Sequence, residues 1–118
     1  MDLQLSTSRR GPFAVVTVAG DVDLGTADRL GDEALTAARD ETPNLVFDLG
    51  GVTFLDSSGL KVLVAAQKRA EQAGGSVSLA AVPRVVMRVL TVTALDKVFP
   101  MYDSVDDVVG VDPATTAD

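Results

Sequence analysis

Among its 118 residues the chain has neither cysteine nor histidine. Without thiols there is no disulfide, no thiolate nucleophile and no cysteine-ligated zinc; without imidazole there is no Ser-His triad and the commonest metal ligand is missing. Most enzyme chemistry is thereby removed. No apolar run approaches the roughly 20 residues needed to span a bilayer, and the N-terminus lacks a basic-then-apolar leader, so a soluble cytoplasmic protein without membrane contact is expected. Positive charge is scarce as well: ten Lys and Arg stand against 17 Asp and Glu, for a net charge of −7. The cations are dispersed from Arg9 to Lys97, so no phosphate-backbone footprint forms and nucleic acid is not an expected partner. No Gly-x-x-x-x-Gly-Lys loop is present, so no nucleotide, metal or other cofactor is assigned.

What is present fits one domain, long enough to bury a core unaided. Leu3 to Thr7 alternates like a half-buried strand, Arg9-Arg10-Gly11-Pro12 reads as a turn, and Phe13 to Ala19 is a second strand, giving an opening hairpin. Thr26 reads as an N-cap, with Ala27, Leu30, Ala34, Leu35 and Ala38 on one helical face and Asp40 to Pro43 as the stop. Leu45 to Leu49 is a short buried strand. A helix from about Ser58 to Ala73 follows, with Val62, Leu63, Ala66, Ala70 and Ala73 as its core face, ended by Gly74-Gly75. Ser76 to Ala80 is a strand, Pro83 opens a helix to about Leu90, Val98 to Met101 is a last strand, and Ser104 to Val109 a last helix. The alternation favours an α/β layer over residues 1–110, with 111–118 as a frayed tail.

The stretch Leu55-Asp56-Ser57-Ser58-Gly59-Leu60 places hydroxyls at a helix N-terminus. Orphan amides and the helix dipole there favour a phosphate, which suits a switch. Asp and Ser also cap helices for structural reasons alone, and from these residues both readings stand.

Three ordered segments carry a resemblance: Gly20-Asp21-Val22-Asp23-Leu24-Gly25-Thr26-Ala27, Leu45-Val46-Phe47-Asp48-Leu49, and Val52-Thr53-Phe54-Leu55-Asp56-Ser57-Ser58-Gly59-Leu60. With the Gly74-Gly75 break and the Pro83-led helix in the same order, the chain resembles the STAS-domain anti-sigma factor antagonists over nearly its whole length. The resemblance implies a single STAS domain: a small mixed β-sheet with helices packed mainly on one side. One departure stands out. Where Ala94 lies the family usually has glycine, so a different helix-end geometry is expected there.

The resemblance makes Ser57 the phosphoacceptor, with Ser58 the runner-up. Asp56 braces the turn, and Gly59 gives close backbone approach or a tight helix start. Asp23 is either a site residue or a helix-start cap, and Asp21 and Thr26 share that ambiguity. Leu60 and Val64, beside Lys61, form either a partner's grip or one flank of a broad apolar face.

The implied mechanism is partner switching by a non-catalytic regulator of transcription. The unphosphorylated form would bind an anti-sigma factor that is also a serine kinase, freeing a sigma factor. Phosphorylation on Ser57 would release it, and a phosphatase would reset it. ATP would be used by the kinase and not held by this chain. The alternative is a STAS scaffold in a larger complex, of stressosome or lipid-transport type, without phospho-switching. Catalysis by Asp56 and Ser57 is disfavoured, because no general base or ligand cluster accompanies them.

Overall fold

A computed structural model describes residues 2–38 and 44–110. Its opening hairpin joins β1 (Gln4–Arg10) to β2 (Phe13–Val22) with Arg10 paired to Phe13, so Gly11 and Pro12 alone make the turn. Gly11 takes φ +60°, a left-handed conformation that costs glycine little. Arg9 and Arg10 are thus strand residues, contrary to the sequence expectation. Polar side chains suit this outer strand, and Arg10 reaches Asp106 at 2.8 Å.

The remaining elements are α1 (Ala27–Ala38), β3 (Asn44–Leu55), α2 (Ser57–Gln72), β4 (Ser76–Ala80), α3 (Arg84–Val92), a 3-10 turn (Leu95–Lys97), β5 (Met101–Tyr102) and α4 (Val105–Val109). The sheet order is β1-β2-β3-β4-β5, with only the first pair antiparallel. Each parallel crossover advances one strand in the same direction, so a constant connection hand stacks α1, α2 and α3 on one face. Strand alternation then divides the core. Ala14, Val16, Val18, Leu45, Phe47 and Leu49 meet those three helices, while Phe13, Val15, Val46 and Ala80 meet Val108 of α4. The single α/β domain with a mixed sheet is as expected; Asp40 to Pro43 and the tail lie outside the described residues.

Several boundaries differ from the sequence reading. β3 does not stop at Leu49 but continues to Leu55, accommodated by two bulges: Thr17 pairs with Asp48 but Ala19 with Gly51, and Gly20 with Val52 but Asp21 with Phe54. The last strand is Met101–Tyr102, not Val98 to Met101, because Val98 closes the 3-10 turn and Pro100 has no N–H to give a ladder. On α2 the buried stripe is Gly59, Leu60, Leu63, Ala66 and Ala70, while Ala73 is exposed and Val62 turns toward α1. Ala94 adopts φ 62°, ψ 13°, so the helix end keeps the left-handed geometry that a glycine would supply. The expected change of geometry does not occur. Among the described residues no helix is long and apolar enough to cross a membrane.

Candidate functional site

β2 and β3 run parallel and end side by side, and the Asp56 amide donates to the Val22 carbonyl at 3.1 Å. This contact brings the loop Asp23 to Thr26 against the turn that starts α2. Both lie at the carboxyl edge of the parallel strands, where open α/β sheets place their sites.

Asp56 is the cap of α2. Its backbone is extended, its Oδ1 accepts from the Ser58 amide at 2.8 Å, and its carbonyl accepts from the Leu60 amide at 3.1 Å. The helix therefore begins at Ser57, one residue earlier than expected. Ser57 is exposed at the first helical position, and its hydroxyl has no hydrogen bond among the described residues. Ser58 is half-buried and lines a groove between α1 and α2. A Cβ on Gly59 would stand 2.8 Å from Val22 Cγ1 and 3.0 Å from Leu55 Cγ, so its missing side chain lets α2 sit directly on the strand ends.

The neighbouring loop is tied internally. Asp23 Oδ1 accepts from the Gly25 amide at 3.0 Å, and the Thr26 hydroxyl accepts from the Asp23 amide at 2.9 Å. That hydroxyl has the Asp21 carbonyl at 2.9 Å and Asp23 Oδ1 at 3.2 Å as alternative acceptors for its one proton. Thr26 thus bonds back to the strand end instead of capping forward, although its carbonyl accepts the amide of Arg29, in the first turn of α1, at 3.0 Å. Asp21 accepts from the Thr53 hydroxyl across the second bulge. These bonds hold Leu24 outward, 82 % exposed.

Of the residues expected to meet a partner, Asp23, Asp56, Ser58 and Gly59 gather at this edge, and Lys61 follows on the exposed side of α2. Leu60 does not serve as a grip. It is 7 % exposed and packed in the main core, because α2 turns its Leu60-Leu63 side onto the sheet. Val64 is half-buried against the same core. Two residues that sequence reasoning passed over are Leu24 and Phe54, the latter 46 % exposed. For Leu24 the signal was a large apolar residue inside a polar turn segment; Phe54 lies in β3, beside the second bulge, and carried no such signal. The groove beginning at Ser58 has a volume of ≈ 480 Å³, with Asp28 and Asp32 on its α1 rim and Lys61 and Arg69 on its α2 rim.

Comparison with known proteins bears on the family and the fold. The STAS domain family model matches residues 4–108. An anti-sigma F factor antagonist from Paenibacillus polymyxa is 32 % identical over 107 residues, covering 88 % of this chain and 90 % of that protein. The anti-sigma-F factor antagonist RsfB of Mycobacterium tuberculosis is 36 % identical over 96 residues, covering 80 % and 76 %. The crystal structure of an anti-sigma factor antagonist from Mycobacterium paratuberculosis superposes with a TM-score of 0.83 at 32 % identity, covering 92 % of each chain. Match and fold together span nearly all the described residues: the chain belongs to the STAS-domain family, within its group of anti-sigma factor antagonists.

Proposed function

We propose that this chain is a phosphorylation-gated anti-sigma factor antagonist that works in the cytoplasm. Unphosphorylated, it binds an anti-sigma factor with serine kinase activity and so frees a sigma factor; phosphate on Ser57 breaks the complex, and a phosphatase restores it. The observation that carries this reading is the division of labour at the turn. Asp56 does the capping, so the exposed Ser57 hydroxyl beside it has no structural duty. The chain contributes only a presented hydroxyl, while the kinase supplies nucleotide, metal and base.

A phosphoserine carries about −1.5 to −2 charges. On Ser57 it would stand beside the Asp56 carboxylate, and against any closely fitted partner without a cation to meet it. Each 1.4 kcal/mol of the resulting repulsion and desolvation weakens the complex about tenfold. No large rearrangement of the domain is needed.

The test is intact mass after incubation with the candidate kinase, magnesium and ATP, for wild type, Ser57→Ala and Ser58→Ala. The reading expects a single added phosphate that only Ser57→Ala removes. Loss in Ser58→Ala alone would move the switch by one residue. No phosphate, from a kinase active on another substrate, would leave a scaffold that binds without switching.

A further inference from the structure

The outer face of α3 breaks the pattern of this acidic chain. Its nine residues include Arg84 and Arg88 and no acid, and neither arginine has an ion pair or hydrogen bond among the described residues. Arg84 stands in the first turn, where the helix dipole disfavours a cation. Between and beyond the two arginines, Val85 is 39 % and Val92 81 % exposed, although Val86 and Leu90 of the same helix are fully buried. Val85, Arg88 and Val92 therefore form one outward ridge, at i, i+3 and i+7. Beside it runs an open hollow of ≈ 540 Å³ formed with Val82 and Met87. β4 runs parallel to β3, so α3 starts at the same edge of the sheet as Ser57.

From this we infer that α3 is a second docking face, which takes an acidic amphipathic helical segment of the anti-sigma factor: carboxylates meet Arg84 and Arg88 while an apolar side chain covers Val85 and Val92. The inference rests on the function proposed above. Charge complementarity selects the occupant. An anionic membrane is the poorer fit, because the whole chain carries −7 and the ridge offers valines instead of large aromatic or leucine anchors. The face lies on α3 and not at the phosphoacceptor, so it adds steering and holding without entering the phosphoryl transfer.

The experiment measures binding kinetics of the anti-sigma factor to wild type, Arg84→Glu/Arg88→Glu and Val92→Ser. Lys68→Glu/Arg69→Glu, which changes net charge equally on α2, is the comparison. The inference expects the α3 charge reversal to slow association by about tenfold at low salt and to flatten its salt dependence. It expects Val92→Ser to speed dissociation, with Ser57 still the acceptor by intact mass in every variant. Binding and Ser57 phosphorylation that persist unchanged in both α3 variants, or equal slowing by the α2 reversal, would overturn the α3 face and leave the switch standing. Wild type that binds no anti-sigma factor would overturn the switch itself. Vesicles of phosphatidylserine that bind wild type but not Arg84→Glu/Arg88→Glu, with anti-sigma binding unaltered, would make α3 a membrane contact instead.

Discussion

Asp56 Oδ1 accepts the Ser58 amide at 2.8 Å, reaching past the residue between them. That bond fixes the start of α2 and leaves Ser57 out of the capping. Stability and phosphorylation should accordingly separate on mutation. Asp56→Ala is expected to cost about 1 kcal/mol, the usual loss for an N-cap carboxylate, while Ser57→Ala leaves stability within about 0.5 kcal/mol. Urea denaturation of the two variants checks this. Equal losses would mean that the Ser57 hydroxyl braces the turn after all.

Gly59 fixes how closely that turn approaches the sheet. A methyl there would enter the space of Val22 and Leu55, both buried, at 2.8 and 3.0 Å. Neither can swing into solvent, so α2 must move. Gly59→Ala is expected to cost about 1–3 kcal/mol and to slow phosphorylation of the unchanged Ser57. Gly74→Ala is the control: at φ +82° with nothing within 4 Å of its Cβ, it strains the backbone far from the turn. Gly74→Ala should lower the urea midpoint without altering phosphorylation rate. Parallel rates for the two variants would break the link between helix seating and the switch.

Ala94 holds a left-handed conformation at φ 62°. An L-residue loses roughly 1–2 kcal/mol there, and glycine's greater freedom in the unfolded chain takes back part of what relief would bring. Ala94→Gly is expected to gain about 0.5 kcal/mol net, read from the urea midpoint. A lower midpoint would show that the Ala94 methyl contributes packing that outweighs the strain.

Ala94 also illustrates what the sequence could convey. The substitution was visible as a departure from the family, but whether the backbone would change shape or hold it under strain depended on the contacts around it. The strand-helix alternation, the opening hairpin and the serine turn were legible because periodicity and turn residues are local signals. The full length of β3 was not, since its two bulges arise from pairing with β2 and leave no period in β3 itself. Leu60 reads as a flanking position on a helical wheel, yet Gly59 lets the helix settle deeply enough to bury it. Asp23 and Thr26 were equally ambiguous, because an Asx turn and a helix cap use the same residues and differ only in which amide is reached.

Leu24, in the loop after β2, and Phe54, one residue before the end of β3, are large apolar side chains left exposed on the two segments that lead to the site. The tied Asp23–Thr26 loop holds Leu24 at 82 % exposure, with the ordering of the loop backbone largely met before any partner arrives. Large apolar side chains carried on an ordered backbone act as anchors at interfaces. Leu24→Ser and Phe54→Ser are each expected to weaken anti-sigma factor binding by about tenfold or more, roughly 1.4 kcal/mol, with little change in the urea midpoint. Leu24 is the more diagnostic, because it is almost bare and contributes little to folding. Calorimetric titration of both variants with the anti-sigma factor checks the expectation. Undiminished affinity in Leu24→Ser would place the interface away from the β2–α1 loop, and phosphate on Ser57 would then have to act through α2 alone.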